Sequence, residues 1–126
     1  MKHQIQSLLL EIQAILSASS ITVGRIIQNP EYDNNKHQGV YCIRDGNNEI
    51  IYVGQTIGGK DGVAQRIWDH ANGISELMEF LNINKKKFET FNVQSKEIQD
   101  IRLRSRVELF GIAVLNPVGN KLGRLK

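Results

Sequence analysis

The sequence contains a single cysteine, Cys42, and has no apolar run near the roughly 20 residues that a membrane-spanning helix needs. One cysteine excludes an intramolecular disulfide and any metal site built from several cysteines. The short apolar run near the amino terminus is interrupted by Glu11 and Gln13, so it is not a convincing signal peptide. We therefore expect a cytoplasmic protein with no membrane partner.

Charge of one sign is only slightly in excess. The 16 lysines and arginines outnumber the 13 aspartates and glutamates, which gives a formal net charge of +3 and a pI near 9.1. This mildly basic balance is compatible with a polyanionic partner but does not identify one. Hydrophobic residues make up 40% of the 126 positions, so the chain is predicted to form one domain with a modest core.

Two short apolar segments, residues 39–44 and 49–54, flank a turn rich in Asp, Gly and Asn. This pattern is typical of a β-hairpin. If the turn is centred on residues 46–47, Tyr41 faces Tyr52 across the two strands. The register therefore predicts two phenol side chains next to each other on one face of the sheet.

A glycine-rich loop and a helix predicted over residues 62–71 follow the hairpin. The loop lacks the Gly-Lys-Ser/Thr ending of a P-loop, so we do not predict a nucleotide-binding loop here. Arg66 and His70 are four positions apart in the helix. They are therefore predicted to lie together along the border of its apolar face.

Apolar periodicity predicts a helix over residues 4–16 and a long, well-buried helix over residues 96–115, and residues 88–93 resemble a third strand. Glu108 falls on an inward stripe of the long helix, where a carboxylate needs a partner, a metal or protonation. The predicted fold class is α/β of the α+β type. It has a small antiparallel three-stranded sheet, a hairpin followed by helices and the third strand, and a long buried C-terminal helix.

The runs Gly39-Val40-Tyr41 and Tyr52-Val53-Gly54, placed on a hairpin, resemble the signature of the GIY-YIG nucleases. In that family a helix with an arginine and often a histidine follows the hairpin, and a later helix carries a glutamate that an asparagine follows. This sequence supplies the set in the same order: Tyr41, Tyr52, Gly54, Arg66, His70, Glu108 and Asn120. The resemblance covers roughly residues 39–120 and departs from the family at Gln55, where a basic or small polar residue is common.

The resemblance implies an endonuclease that hydrolyses phosphodiester bonds in DNA with Mg²⁺, for which Mn²⁺ can substitute. Glu108 would hold the metal, because hard divalent cations prefer oxygen ligands. Arg66 would grip the scissile phosphate through its planar guanidinium. By resemblance Tyr41 is the general base, assisted by His70, and Tyr52 binds a phosphate or water; the opposite assignment of the two tyrosines stays open.

Asn120 is expected to hold the site or the backbone through its amide. Gly54, Gln55 and Lys60 are expected to bind the nucleic acid, with Lys60 contacting a phosphate. No small-molecule cofactor is expected.

Residues 1–30 are expected to form an N-terminal helical extension that packs on the core or serves as an oligomer interface, here of a homodimer. Residues 31–126 would be the GIY-YIG-like nuclease domain. Two other functions stay open: a catalytically reduced DNA-binding module on the same fold, and a non-enzymatic interaction protein. As an alternative to a metal role, Glu108 could form a structural ion pair with Arg66, because buried charges are usually paired.

Overall fold

The computed structural model describes residues 2–28 and 31–124, with side chains for residues 4–28 and 33–121. Its strands are β1 Ile21–Thr22, β2 Gly39–Arg44, β3 Ile50–Gln55 and β4 Asn92–Glu97. Its helices are α1 Lys2–Leu16, α2 Val23–Ile26, α3 Glu31–Asn34, α4 Gly62–Ala71, α5 Leu77–Leu81, α6 Lys85–Phe88 and α7 Ile101–Leu115, and a 3₁₀ helix covers Val118–Arg124. Within this part of the chain no helix has both the length and the apolar character to cross a membrane.

The strands form one antiparallel sheet in the order β1-β4-β2-β3, which makes the fold α+β as predicted. β2 lies inside the sheet and is buried on both faces. Tyr41 and Ile43 point to one face and pack with residues of α4. Val40 and Cys42 point to the other face and pack with residues of α1 and α7. β3 is left at the edge of the sheet between these two helical layers.

The predicted pairing of Tyr41 with Tyr52 is wrong. Tyr41 pairs with Gly54 and Tyr52 pairs with Ile43, and a register shift lies near the turn. The turn between β2 and β3 is longer than predicted because the Asp45 carboxylate accepts hydrogen bonds from two backbone N–H groups within it. Since the offset at the tyrosines is two residues, both rings stay on one face, with their centroids 6.2 Å apart.

The prediction of three strands is also wrong, as are two element boundaries. The strand predicted over residues 88–93 is observed further along the chain as β4, and the sheet gains the short strand β1. The long helix begins at Ile101 and not at residue 96. Local capping explains these boundaries, because the Asn84 side chain caps α6 and the Asp100 side chain caps α7.

Helix α7 is less buried than predicted. Arg104 and Val107 are buried, at 4% and 0% exposure, whereas Leu109 is 66% exposed and Val114 is 54% exposed. Glu108 lies half-buried between these two faces of the helix. Its carboxylate can therefore contact the protein on one side and solvent on the other.

Helix α1 packs on the sheet and on α7 through Ile12 and Ile15. Gln94 of β4 donates hydrogen bonds to the carbonyls of Leu16 and Ala18, at 2.9 and 2.8 Å, which satisfies the carboxyl end of the helix. The inner face of α1 is therefore part of the core. The predicted homodimer through this helix is not supported, and the division of the chain at residues 30 and 31 stays a prediction.

Candidate active site

Tyr41 is fully buried, at 0% exposure. It lies in β2 on the face of the sheet that packs against α4. Its hydroxyl lies over Gly54 of β3, where an added Cβ would come within 2.5 Å of Tyr41 Oη. Gly54 therefore leaves the space that the phenol occupies. Contact of Gly54 with a nucleic acid stays a prediction.

His70 connects Tyr41 to the loop that follows α4. Its Nε2 lies 2.8 Å from Tyr41 Oη, and its Nδ1 lies 2.5 Å from Ser75 Oγ. The Tyr52 ring packs edge-on against the imidazole, with the centroids 5.1 Å apart. His70 is only 1% exposed, so the prediction that it lies on the border of the helix face is wrong. The contacts with Tyr41 and Ser75 fix the orientation of the imidazole ring.

Arg66 lies one helical turn before His70 and is oriented by Asp69. Its Nη1 donates to Asp69 Oδ2 at 3.1 Å, and the two side chains are 26% and 15% exposed. Within residues 4–28 and 33–121, the buried Nε of Arg66 has no hydrogen-bond partner, and Glu108 forms no ion pair with it. The structural Arg66–Glu108 pair is therefore not observed. An unsatisfied buried donor favours an incoming acceptor such as a phosphate oxygen.

Glu108 is held by a side chain from β3. Gln55 Nε2 donates to Glu108 Oε1 at 2.9 Å, and Ser105 Oγ donates to Gln55 Oε1 at 3.3 Å. Gln55 was expected to bind nucleic acid, but the structure places its amide between two residues of α7. Contact of Gln55 with nucleic acid stays a prediction.

Asn120 pairs with the free edge of β3. Its Oδ1 accepts the N–H of Val53 and its Nδ2 donates to the carbonyl of Val53, both at 2.7 Å. A single side-chain amide thus takes the place of a neighbouring strand at this edge. The observed contact of Asn120 is with the backbone, and its catalytic role stays a prediction.

Lys60 lies exposed in the loop between β3 and α4. Gly58 and Gly59 in this loop have φ angles of +103° and +84°, which favour glycine. Gln38 Nε2 holds the loop by donating to the carbonyl of Gly59 at 2.5 Å. The loop is therefore anchored to the segment before β2, and contact of Lys60 with phosphate stays a prediction.

Both phenols are shifted toward the protonated form. Burial raises the pKa of Tyr41 well above 10, and the neighbouring Tyr52 raises it further, while the charge of Arg66 and its hydrogen bonding to the phenol oppose the shift. Burial also raises the pKa of Tyr52, Glu108 adds to this shift, and Arg66 opposes it. These mutual effects show that the two phenols, the guanidinium and the carboxylate share one electrostatic environment.

His70 and Glu108 are both shifted toward their neutral forms. Burial, with a further contribution from Arg66, lowers the pKa of His70 to about 3. Burial raises the pKa of Glu108, whereas hydrogen bonds from the side chain and backbone of Gln55 and the charge of Arg66 lower it. At neutral pH the imidazole is therefore uncharged and can accept a proton at one nitrogen.

The donor set for a metal is small. In the described part of the chain no three residues among His, Cys, Asp and Glu are grouped so that they could hold an ion. Glu108 is the carboxylate of the site, and the side-chain amide of Gln55 donates to its Oε1. This set fits a hard cation such as Mg²⁺, which commonly uses one or two carboxylates together with waters and substrate phosphates.

Three side chains around the site were not predicted: Ser75, Ser105 and Arg104. Ser105 lies three residues before Glu108 in α7, so helical spacing could have identified it. Ser75 reaches His70 from a loop, and a loop contact has no periodic pattern. Arg104 is buried and donates to Thr56, which only the tertiary structure reveals.

No protein-family model matches this chain, and no curated protein matches it. Among solved structures, the chain is similar to the GIY-YIG N-terminal endonuclease domain of UvrC from Thermotoga maritima, a point mutant bound to its catalytic divalent cation. The TM-score is 0.49 and the sequences are 14% identical. The match covers 73% of this chain and 97% of the other. A likeness of this size leaves the family of the chain open.

Proposed function

We propose that this protein is a metal-dependent endonuclease of the GIY-YIG type that hydrolyses phosphodiester bonds in DNA. The observation that carries the proposal is the grouping of two phenols, an imidazole, a guanidinium and a carboxylate around the end of β3. These five side chains are also those of the GIY-YIG pattern in the sequence. Each has a chemical task in the hydrolysis of a phosphodiester.

Arg66 binds the scissile phosphate in this proposal. Its Nη1 is oriented by Asp69, and its buried Nε is unpaired among the described side chains. The planar guanidinium matches two phosphate oxygens, and its charge offsets the negative charge that develops in the transition state.

Tyr41 takes the proton of the attacking water and passes its own proton to His70 Nε2, which lies 2.8 Å from the hydroxyl. The water oxygen forms a bond to phosphorus while the opposite bridging P–O bond breaks, and the leaving oxygen is protonated from solvent. Tyr52, which is only half-buried, orients the water or the phosphate. Tyr41 is fully buried. The proposed reaction therefore requires that one water molecule reaches the Tyr41 hydroxyl when the substrate binds.

Glu108, whose Oε1 accepts a hydrogen bond from Gln55, would hold the divalent cation, Mg²⁺ or Mn²⁺, through its carboxylate. When bound, the cation supplies positive charge that polarises the phosphoryl group and lowers the pKa of a coordinated water. Because Glu108 is half-buried, one side of its carboxylate faces solvent, from which a phosphate and waters would reach the cation.

A plasmid assay tests this function. Supercoiled DNA is incubated with the protein and Mg²⁺ or Mn²⁺, with and without a chelator, beside the variants Glu108→Ala and Arg66→Ala. The wild type is expected to nick the plasmid only without chelator, and both variants are expected to lose nicking. Glu97→Ala and Arg102→Ala remove the same charges from exposed positions and serve as matched controls that keep activity.

Three results would contradict the proposal in different ways. Nicking that persists in both site variants would overturn the assignment of the site. Plasmid that is retarded but never cut would indicate a DNA-binding module. A protein that neither binds nor cuts DNA or RNA of any form would leave the interaction protein as the remaining hypothesis.

A further inference from the structure

The side chain of Gln55 extends from the end of β3 toward α7 and uses both ends of its amide there. Its Nε2 donates to Glu108 Oε1 at 2.9 Å, and its Oε1 accepts from Ser105 Oγ at 3.3 Å. A flipped amide would turn its oxygen toward the Glu108 carboxylate and place acceptor against acceptor. The pair of contacts therefore fixes which end of the amide meets Glu108.

The backbone next to Gln55 is also fixed. Arg104, 4% exposed, donates to the carbonyl and the hydroxyl of Thr56, at 3.0 and 2.8 Å. The Thr56 hydroxyl in turn accepts the N–H of Gly39 at 3.1 Å. Arg104 of α7 thus holds the end of β3, and Glu108 follows one helical turn later in the same helix. The distance from the Gln55 backbone to Glu108 is therefore set by the fold.

We propose that Gln55 is a positioning residue for Glu108, and that it acts on the binding of the divalent cation and not on the binding of DNA. The side-chain amide holds the carboxylate at Oε1 and so fixes the orientation in which the carboxylate would meet the cation. Ser105 supports this arrangement by holding the amide oxygen. The inference rests on the proposed function, and it replaces the expectation that Gln55 contacts nucleic acid.

A general property of metal sites gives the expected size of the effect. Groups that hydrogen-bond to a metal ligand orient it, and their loss typically weakens metal affinity or activity by about 10- to 100-fold. Gln55→Met keeps the length of the side chain but removes the amide. We expect this variant to bind Mg²⁺ about 10-fold more weakly and to bind DNA as the wild type does.

The test titrates Mg²⁺ into ¹⁵N-labelled protein without DNA and follows the amide resonances by NMR. DNA affinity is measured separately by fluorescence anisotropy in the presence of a chelator. Gln99→Met is the matched control, because the exposed Gln99 also donates to a glutamate, Glu97, but lies away from Glu108. Ser105→Ala is a second variant with an intact Gln55, and it is expected to weaken Mg²⁺ binding less than Gln55→Met does.

The outcomes separate this inference from the proposed function. If Gln55→Met keeps wild-type Mg²⁺ affinity and loses DNA affinity, Gln55 is a DNA contact and the inference is wrong. If neither affinity changes, its contacts are only structural and the inference is also wrong. If the wild type shows no Mg²⁺ binding that depends on Glu108, tested with Glu108→Gln, the metal role of Glu108 fails and the proposed function fails with it. Should Gln55→Met not fold, an unchanged Mg²⁺ affinity in Ser105→Ala would count against the inference.

Discussion

Tyr41 and Tyr52 carry the same phenol in two different surroundings. Tyr41 is closed to solvent and its hydroxyl meets His70 Nε2 at 2.8 Å. Tyr52 is half-buried and packs its ring against the same imidazole. Burial raises the pKa of both phenols, so neither ionises by itself at neutral pH. A phenol with an adjacent proton acceptor can still act as a base, and the imidazole is placed to be that acceptor for Tyr41.

Replacing each tyrosine by phenylalanine separates the two roles. We expect Tyr41→Phe to reduce the single-turnover cleavage rate by about 10²- to 10⁴-fold, the usual contribution of a general base. Tyr52→Phe is expected to lose less, because it removes only a group that orients water or phosphate. Rates are measured on a labelled duplex at saturating protein concentration.

Both phenylalanine variants have to be folded for this comparison. Tyr41→Phe leaves the buried His70 nitrogen without its partner, which costs about 1–3 kcal/mol of stability. Thermal unfolding followed by circular dichroism shows whether the assay temperature lies below the transition. A larger loss in Tyr52→Phe than in Tyr41→Phe would move the base role to Tyr52.

Among the elements, β3 carries Tyr52, Gly54 and Gln55 of the candidate site and lies at one edge of the sheet. The amide of Asn120 supplies two hydrogen bonds to Val53 on the side where β3 has no neighbouring strand. On its other side Gly54 and Gln55 pair with β2 and lie beside Tyr41 and Glu108. The position of β3 therefore depends on Asn120, although Asn120 itself touches only backbone there.

Asn120→Asp tests this supporting role. The aspartate can still accept the N–H of Val53, but its second oxygen would face the carbonyl of Val53. We expect the free energy of unfolding, measured in urea, to fall by about 1–3 kcal/mol because that carbonyl loses its donor. Asn47→Asp makes the same change at an exposed position in the hairpin turn and should have little effect. Unchanged stability with lost cleavage would indicate instead that Asn120 contacts the substrate.

Sequence reasoning succeeded where a local pattern determines an element. Helix α4 was predicted over residues 62–71, and the structure has Gly62–Ala71, because apolar periodicity and the glycine that follows, Gly73 with φ +76°, mark its length. β4 was misplaced because its sequence, Asn92–Glu97, is largely polar. The buried Gln94 in it is explained by the carboxyl end of α1, a contact between distant parts of the chain.

In the candidate site, too, local spacing predicted positions within one element, whereas contacts between distant segments could not be predicted. The four-residue spacing placed Arg66 and His70 on one helix, and the period-two rule placed both tyrosines on one face. The direct pairing of the tyrosines failed, because the turn conformation and the register shift depend on side-chain contacts within the loop. The contacts of His70 with Ser75 and of Glu108 with Gln55 join segments that no spacing rule connects.

In the molecule as a whole, the candidate site is continuous with the core. Tyr41 belongs to the same apolar cluster as Val63, Ile67 and Leu77, and His70 is buried beside it. Burial of a titratable imidazole links the protonation of the site to the stability of the fold. A lower pH should therefore change both the charge of the site and the free energy of unfolding.

His70 gives the protein a pH-dependent stability with a definite sign. Its pKa is about 3 in the folded protein and near 6.5 when unfolded, so between these values the unfolded chain binds a proton that the folded protein does not. The free energy of unfolding is therefore expected to decrease as pH falls from 6.5 toward 3 and to be flat above 6.5 for this group. The upper limit of the loss is about 5 kcal/mol.

The measurement is urea unfolding at several pH values for the wild type and for His70→Gln. The difference between the two curves isolates the contribution of His70, because the other titrating groups are common to both proteins. The difference should shrink as pH falls, since only the wild type loses stability by protonation of His70. A difference that does not change with pH would contradict a buried neutral imidazole.

The central claim is that Arg66 and Glu108 converge on one scissile phosphate together with a divalent cation. The most direct test is a crystal structure of the Tyr41→Phe variant with a DNA duplex and Mn²⁺, with the cation located by its anomalous scattering. We predict one Mn²⁺ that contacts both a Glu108 oxygen and a phosphate oxygen, with the Arg66 guanidinium on the same phosphate. A cation bound away from Glu108, or DNA bound on another face of the protein, would contradict the proposed site.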